Sequence, residues 1–493
     1  MTTFDVILVT DTATVESPAW SRGYGAHRLA NHLRVNGFSV LVIDFSSALE
    51  LDVWKQICDL AIGDNTKMVG FSTTWWPYRT PFKKDNIEFK NCIIEWMSLK
   101  GSNSVINQSS LTYDAVTGNA QRWIDIVKEK NKKIKVVVGG PKIDWYLDFP
   151  ADFFINGLGE NQVIDLLTNN KRIWPKVLEH DINSDARDWG WVTCSTDYTK
   201  YDLIQPKEIL NLEIARGCRF NCAFCSFPLI GQKDTAKYYK TEDTIYNELL
   251  RNYELRGTTT YNIADDTFND DIAKIEMMVR IVKRLPFKPT FFAYIRLDLI
   301  AINLKQIDLL KEMGLTYCYI GVESFHPVAS KFSGKGMQSD KRKQTLQLMS
   351  KIWGNSVAVD IGYIVGLPGE DEKYLREQAE WFLSDECDLN HYITFIALVI
   401  NPSWSVKYSA LSRIDKDPEA FGYTIPDRDK PNFWVKNDGT DITSYERACE
   451  LADEFSAKTF RRAKMMNTNN RSELELNPLN DYFLPLIEML KND

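Results

Sequence analysis

Three cysteines, Cys218, Cys222 and Cys225, fall within eight residues in the stretch Ala215-Arg-Gly-Cys-Arg-Phe-Asn-Cys-Ala-Phe-Cys-Ser-Phe-Pro228. Three residues and then two separate them. Three thiolates can hold three irons of a [4Fe–4S] cube and leave the fourth without a protein ligand. Such cubes are usually held by four cysteines, so a vacant corner implies an iron that binds a ligand or reacts. The competing readings are zinc with a distant fourth ligand and buried thiols. Zinc sites more often pair C-x2-C units or add a nearby histidine. Here the nearest histidines in sequence, His180 and His326, are remote.

The remaining six cysteines (Cys58, Cys92, Cys194, Cys318, Cys387, Cys449) are scattered. An odd total with one tight cluster fits a reducing cytosol and a metal site rather than a disulfide framework. The 493 residues are 44% apolar and 26% charged, with a net charge of −8. That balance describes a soluble globular protein and argues against a chain that coats nucleic acid or anionic membrane. No run approaches the roughly 18 apolar residues of a span, and Met1-Thr-Thr-Phe-Asp-Val has no basic n-region. The expected location is cytoplasmic, with neither membrane nor nucleic acid as a partner.

Residues 1–170 alternate apolar strands with helical spacing. Strands are expected at Phe4–Val9, Val40–Ile43, Met68–Ser72, Val136–Val138 and Asp152–Ile155. Helices are expected at Gly25–Asn36, Leu51–Ala61 and Gln121–Lys130. Near-continuous apolar strands imply a parallel sheet covered on both faces, with ligands beyond the strands' carboxyl ends. A long aromatic-rich insertion near 75–120 reads as a packed subdomain or a lid over that edge. Residues 171–205 read as a linker. From 206 to 420, six further strands (Ile209–Ile214, Tyr261–Ala264, Thr290–Arg296, Tyr317–Gly321, Ala358–Val365, Tyr392–Val399) alternate with helices near 241–255, 271–284, 303–313, 338–353 and 371–384. The cysteines follow the first of these strands directly, at the end where βα barrels keep their active sites. Residues 421–493 read as a C-terminal helical cap, with helices at Tyr445–Met465 and Pro478–Leu490.

The C-x3-C-x2-C spacing, with Phe224 before the last cysteine, resembles the radical S-adenosylmethionine (SAM) superfamily. The resemblance continues through the strand ends: Asp265-Asp266, Arg296, Gly321-Val-Glu-Ser324, Gly334-Lys-Gly336 and Gly362-Tyr-Ile-Val-Gly-Leu-Pro-Gly-Glu370. Gly37–Asp44, Val69–Ser72, Val138–Pro141 and Ala151–Glu160 resemble the cobalamin-binding domain that precedes the barrel in one subgroup. The resemblance implies an α/β architecture: a doubly wound, Rossmann-like N-terminal sheet, a partial (β/α)6 barrel and a C-terminal helical region. It implies that Cys218, Cys222 and Cys225 ligate a [4Fe–4S] cluster. Phe224, Asp265 or Asp266, Arg296, Glu323, Ser324, Gly362, Ile364 and Gly366 would then contact SAM. Asp265 or Asp266 would take the ammonium, Arg296 the carboxylate or a salt bridge to Asp298 or Glu323, Glu323 and Ser324 the ribose, and the Gly362–Gly366 backbone the adenine. The cobalt-ligating D-x-H-x-x-G signature is absent; His27 and His32 lie within the first helix and lack its context.

The chemistry implied is reductive cleavage of SAM to a 5′-deoxyadenosyl radical that abstracts hydrogen from a substrate the sequence does not name. A one-electron reductant such as flavodoxin or ferredoxin would drive it. With cobalamin bound, methyl transfer to carbon is the leading outcome. With a vestigial first domain, isomerisation, epimerisation, dehydrogenation or cyclisation remain open. A non-catalytic cobalamin or iron–sulfur sensor is the reading from another class.

Overall fold

Apolar tetrapeptides make the strands of the N-terminal sheet: Val6–Val9 (β1) and Val40–Ile43 (β2) are buried at every position. The computed structural model describes residues 2–10, 22–46, 49–73, 113–140, 143–147, 149–169, 174–179, 191–226, 238–336, 339–387, 391–408, 410–460 and 483–493. The chain divides into two units. One comprises Met1–Asp188, Cys194–Ile209 and Arg471–Asp493; the other comprises Trp189–Thr193 and Leu210–Asn470.

In the first unit β1 and β2 are joined by β3 (Met68–Ser72), β4 (Lys135–Gly140), β5 (Phe153–Asn156) and β6 (Val177–Glu179). The order is β2-β1-β3-β4-β5-β6, with every pair parallel. Helices α1 (Tyr24–Val35), α2 (Leu51–Ala61), α3 (Tyr113–Lys130) and α4 (Glu160–Thr168) follow their strands. Val6, Leu8, Ala30, Leu33, Val42 and Ile155 share one core cluster. Elsewhere in the unit Trp54 of α2 stacks on Trp123 of α3, 5.0 Å between centroids. The stretch read as a linker contributes β6, which pairs with β5. At three residues it is too short to show a period. The aromatic insertion from 75 to 112 lies outside the described residues, and α3 starts eight residues before the helix expected at Gln121.

Residues 194–209 join this unit through buried polar contacts. Arg22 donates to Asp44 (2.9 Å), Glu208 (2.5 Å) and the Asp202 carbonyl (2.7 Å). His27 is fully buried, with Nε2 2.8 Å from Asp44. Burial works against the Asp44 charge, but His27 and Arg22 outweigh it and hold the carboxyl below its usual range.

The second unit is an open parallel sheet, β12-β11-β10-β9-β8-β7. Its strands are β7 (Leu210–Leu212), β8 (Thr260–Ile263), β9 (Thr290–Arg296), β10 (Leu315–Glu323), β11 (Ala358–Val365) and β12 (His391–Ala397). The connecting helices are α5 (Glu242–Arg256), α6 (Ile272–Arg284), α7 (Leu297–Ile302), α8 (Lys305–Glu312), α9 (Pro327–Phe332), α10 (Ser339–Trp353) and α11 (Glu372–Leu383), and α12 (Tyr445–Phe460) packs on β12. This is the partial (β/α)6 barrel. Local signals set its helix ends. Thr241, Asp271 and Asp371 accept backbone N–H groups at three N-termini, and Gly257 closes α5 at φ +67°, as capping preferences dictate. Strand side chains alternate between two faces. One face (Ile320, Val322, Ile361, Tyr363, Ile393, Phe395) is buried, with Tyr363 against Phe382 of α11 and Phe395 against Phe455 of α12. The opposite, inner face carries Asn211, Asn262, Tyr294, Tyr319, Asp360, Gly362 and Thr394.

Candidate active site

The cysteine loop leaves β7 and is held by a carboxylate on the next strand end. Asp265 Oδ1 accepts the backbone N–H groups of Ile214 (2.9 Å) and Ala215 (2.8 Å). Its Oδ2 lies 3.2 Å from Lys274 Nζ, which also pairs with Asp270 at 2.6 Å. The Tyr238 hydroxyl donates to the other Asp270 oxygen at 2.7 Å. Burial pushes the Asp265 carboxyl up against the pull of Lys274, while the two carboxylates keep Lys274 charged despite burial. Asp265 is therefore turned into the protein as the clamp of the loop. Asp266, its neighbour, points the other way and is exposed at the strand end. It lies in a recess where desolvation, then the charges of Asp265 and Glu213, push its pKa up to about 7. N-capping falls to Asp271 rather than to Asn269 or Asp270.

Cys222 is buried, and Cys218 and Cys225 are partly so. Burial raises the Cys218 thiol, whose sulfur is 3.5 Å from Thr267 Oγ1. Arg296 donates to Cys222 Sγ at 3.2 Å and to the Gly334 carbonyl at 3.0 Å. Its remaining edge grips Asp298 in a two-point pair, 3.0 and 2.7 Å, and its face lies 3.9 Å from the Phe220 ring centroid. Those Asp298 bonds outweigh burial and keep it charged. Of the two sequence expectations for Arg296, the structure displays the Asp298 salt bridge. A guanidinium so committed is a positioning group for Cys222. Gly334, at φ +70°, brings bare backbone to the cysteine: a Cβ there would sit 3.7 Å from Cys222 Sγ. Phe224 lies on the same loop, partly buried.

The fourth strand end is irregular. Register shifts between Gly321 and Glu323, and Glu323 takes φ +62°, a conformation costly for a side chain with a Cβ. Bulges of this kind re-aim side chains beside active sites. Lys335 Nζ pairs with Glu323 at 2.8 Å and also donates to the Gly321 carbonyl. Ser324, expected at the ribose, is fully buried. It donates to Glu370, which also accepts from Tyr363 at 3.1 Å, and it accepts the His326 N–H at 2.9 Å. It therefore points away from the mouth. Burial pushes Glu370 up to about 8.

The flat ring over Gly362 is the chain's own: a Cβ there would overlap the Tyr319 hydroxyl. Ile364 is buried. Gly366, at φ +95°, is covered by Trp434, whose ring a Cβ would meet at 2.7 Å, and its carbonyl accepts from Tyr423 at 2.6 Å. Lys274, Lys335, Tyr319 and Trp434 are the supporting residues that strand-end matching did not assign. For Lys274 the four-residue spacing from Asp270 was a signal available on the helix; Tyr319 and Trp434 carried none.

Among the described residues, no three His, Cys, Asp or Glu side chains converge on one ion. A cube asks for less, since it gives each sulfur its own iron. Residues 212–382 match the family model of the radical SAM superfamily. This stretch is a radical SAM domain. An uncharacterized methyltransferase of Pyrococcus horikoshii is 25% identical over 296 residues, covering 55% of this chain and 61% of its own. The chain thus spans about three fifths of that curated relative. The radical SAM methyltransferase TsrM from Kitasatospora setae, solved with cobalamin and a [4Fe–4S] cluster bound, superposes with a TM-score of 0.54 at 15% identity, over 86% of this chain and 80% of that one. The cobalamin-dependent radical enzyme OxsB, solved with aqua-cobalamin and SAM, gives 0.50 at 15% identity, over 78% and 52%. At 15% identity, both likenesses are ones of fold. Among the described residues, no helix is long and apolar enough to cross a membrane.

Proposed function

We propose that the chain is a radical SAM enzyme in which Cys218, Cys222 and Cys225 hold a [4Fe–4S] cluster with one iron open to SAM. The observation that carries this reading is the loop itself: three thiols at the carboxyl end of β7, clamped by Asp265, with Arg296 and Gly334 closed on Cys222. The donor set fits the group, since soft thiolates suit iron–sulfur chemistry. When bound, the cluster and SAM supply reductive cleavage to a 5′-deoxyadenosyl radical. The chain's own residues position and exclude water. Asp266, exposed beside the buried Asp265, receives the SAM ammonium. Glu323, re-aimed by the bulge and steadied by Lys335, reaches the ribose. Ser324 and Arg296 support these contacts from behind.

Methyl transfer to carbon with cobalamin is the favoured outcome. Its support is the Rossmann-like sheet, shared with cobalamin-binding neighbours, whose carboxyl edge turns at Gly140 and Gly157 with φ +133° and +81°. His27, committed to Asp44, is not placed as a cobalt ligand. A vestigial first domain with another radical outcome is the alternative. A reducing cytosol and an electron donor of the flavodoxin or ferredoxin kind complete the reading. The test is anaerobic reduction of reconstituted protein with SAM. Formation of 5′-deoxyadenosine that disappears in Cys222→Ala supports it; intact SAM with a fully loaded cluster overturns it. Cobalt that binds stoichiometrically selects the methyltransferase branch.

A further inference from the structure

The inner face of the barrel holds a polar set that the cluster and SAM contacts do not use. One register row joins Tyr294, Tyr319 and Asp360, and the next joins Arg296, Gly321, Gly362 and Thr394. Asp360 therefore lies one inward position below Gly362, about 7 Å deeper along the strand. The Tyr317 hydroxyl donates to Asp360 Oδ2 at 3.3 Å, and the Thr394 hydroxyl donates to Oδ1 at 3.2 Å. Each carboxylate oxygen thus takes one hydroxyl. Rings wall the carboxylate. Tyr294 and Tyr319 stand 5.3 Å apart, and Phe292 meets Tyr317 at 5.6 Å. Tyr294, on the interior strand β9, is 51% exposed, and Ile396, on the edge strand β12, is 46% exposed. Large apolar surface left open there, on the face away from the helices, marks a space for a ligand.

We propose that Asp360, steadied by Tyr317 and Thr394 and walled by Tyr294 and Tyr319, anchors a cationic nitrogen of the substrate on the barrel's inner face. The inference deepens the radical SAM reading and rests on it. A carboxylate with fixed donors attracts an ammonium, and the negative faces of aromatic rings favour the same charge. The substrate class is an amine whose reacting carbon lies several bonds from its nitrogen, because the anchor is a full inward step below the strand-end row.

The test uses reconstituted, SAM-loaded enzyme under anaerobic conditions and two near-isosteric probes, phenethylammonium and 3-phenylpropionate, followed by ligand-observed NMR. The wild type binds the cation about tenfold or more tighter than the anion, the worth of one charge-assisted hydrogen bond. Asp360→Asn removes that preference, and Tyr317→Phe reduces it. Equal affinity for the two probes, no binding of either at millimolar concentration, or an unchanged preference in Asp360→Asn overturns the subsite. The wild-type comparison stands even where a variant misfolds. 5′-Deoxyadenosine formation by the wild type is read separately. Cleavage of SAM without a cation preference sinks the subsite alone, and a cation preference without cleavage sinks the radical reading.

Discussion

Asp265 and Asp266 are adjacent carboxylates with opposite duties, and their substitutions separate them. Asp265→Asn keeps size but takes the charge from a buried group that holds two backbone N–H bonds and Lys274. Losing one partner of a buried pair costs about 3 kcal/mol. A lower Tm and poor iron retention are expected, with iron per chain as the direct readout. Asp266→Asn leaves Tm nearly unchanged, because the side chain is exposed. It weakens SAM binding about tenfold, the loss of a charge-assisted hydrogen bond, measurable as a shift in the SAM-induced change of the cluster's EPR signal. Equal effects of the two substitutions would refute the division of labour. Gly362→Ala forces Tyr319 aside; overpacking of this kind costs about 1–3 kcal/mol, and a Tyr319→Leu partner should recover most of it in a double-mutant cycle. These positions also show what a sequence displays at residue scale. The order of the strand ends names the neighbourhood, and the three cysteines name themselves. Which of two adjacent residues turns toward the mouth depends on a twist or a bulge, as at Glu323-Ser324, where the strand-end match is silent and Ser324 points inward to Glu370.

Strands β2, β3, β9 and β11 coincide with their apolar runs because burial on both faces, or on one face with clean alternation, leaves a strong pattern. The helix expected near 303–313 instead starts at Lys305, behind a separate short helix at Leu297–Ile302, since Asn303 takes non-helical angles between them. Strand β6 was illegible for want of length. The turn after β11 makes its own prediction. Glu370 is fully buried, and its pKa rises from 4.5 to about 8, chiefly by desolvation, against its bonds from Ser324 and Tyr363. The folded state therefore keeps this proton between pH 4.5 and 8, while the unfolded chain releases it. Proton uptake on folding makes the group's contribution complete below the unfolded pKa and lost as pH rises through the folded one. The slope is roughly 1.4 kcal/mol per pH unit. Glu370→Gln should flatten that fall, so that the variant gains on the wild type in chemical denaturation at pH 8 relative to pH 5. A constant difference across that range would show the carboxyl to be ionised in the fold.

Chain order and spatial order part company at the C-terminus. The last helix, Leu484–Asn492, belongs to the same unit as the N-terminal sheet, where it packs on α2. Its apolar stripe of Leu486, Ile487 and Leu490 is buried, and Tyr201 donates to Asp493 at 2.6 Å within that unit. An amphipathic nonamer announces that it needs a partner; it does not announce one more than four hundred residues upstream, so a helical cap was all that spacing could support. Burying three such side chains is worth about 5–8 kcal/mol before the ordering of the helix is subtracted. Deleting residues 484–493 should therefore cost a few kcal/mol, and the cost should fall on one unit. Hydrogen exchange reads this directly, because protection reports local as well as global opening. The amides of α2 and the neighbouring β2 are expected to lose protection, while those of β10 and β11, which share the other unit with the cysteine loop, keep theirs. Protection lost equally in both sheets would mean that the two units unfold as one and that the terminal helix stabilises the whole chain.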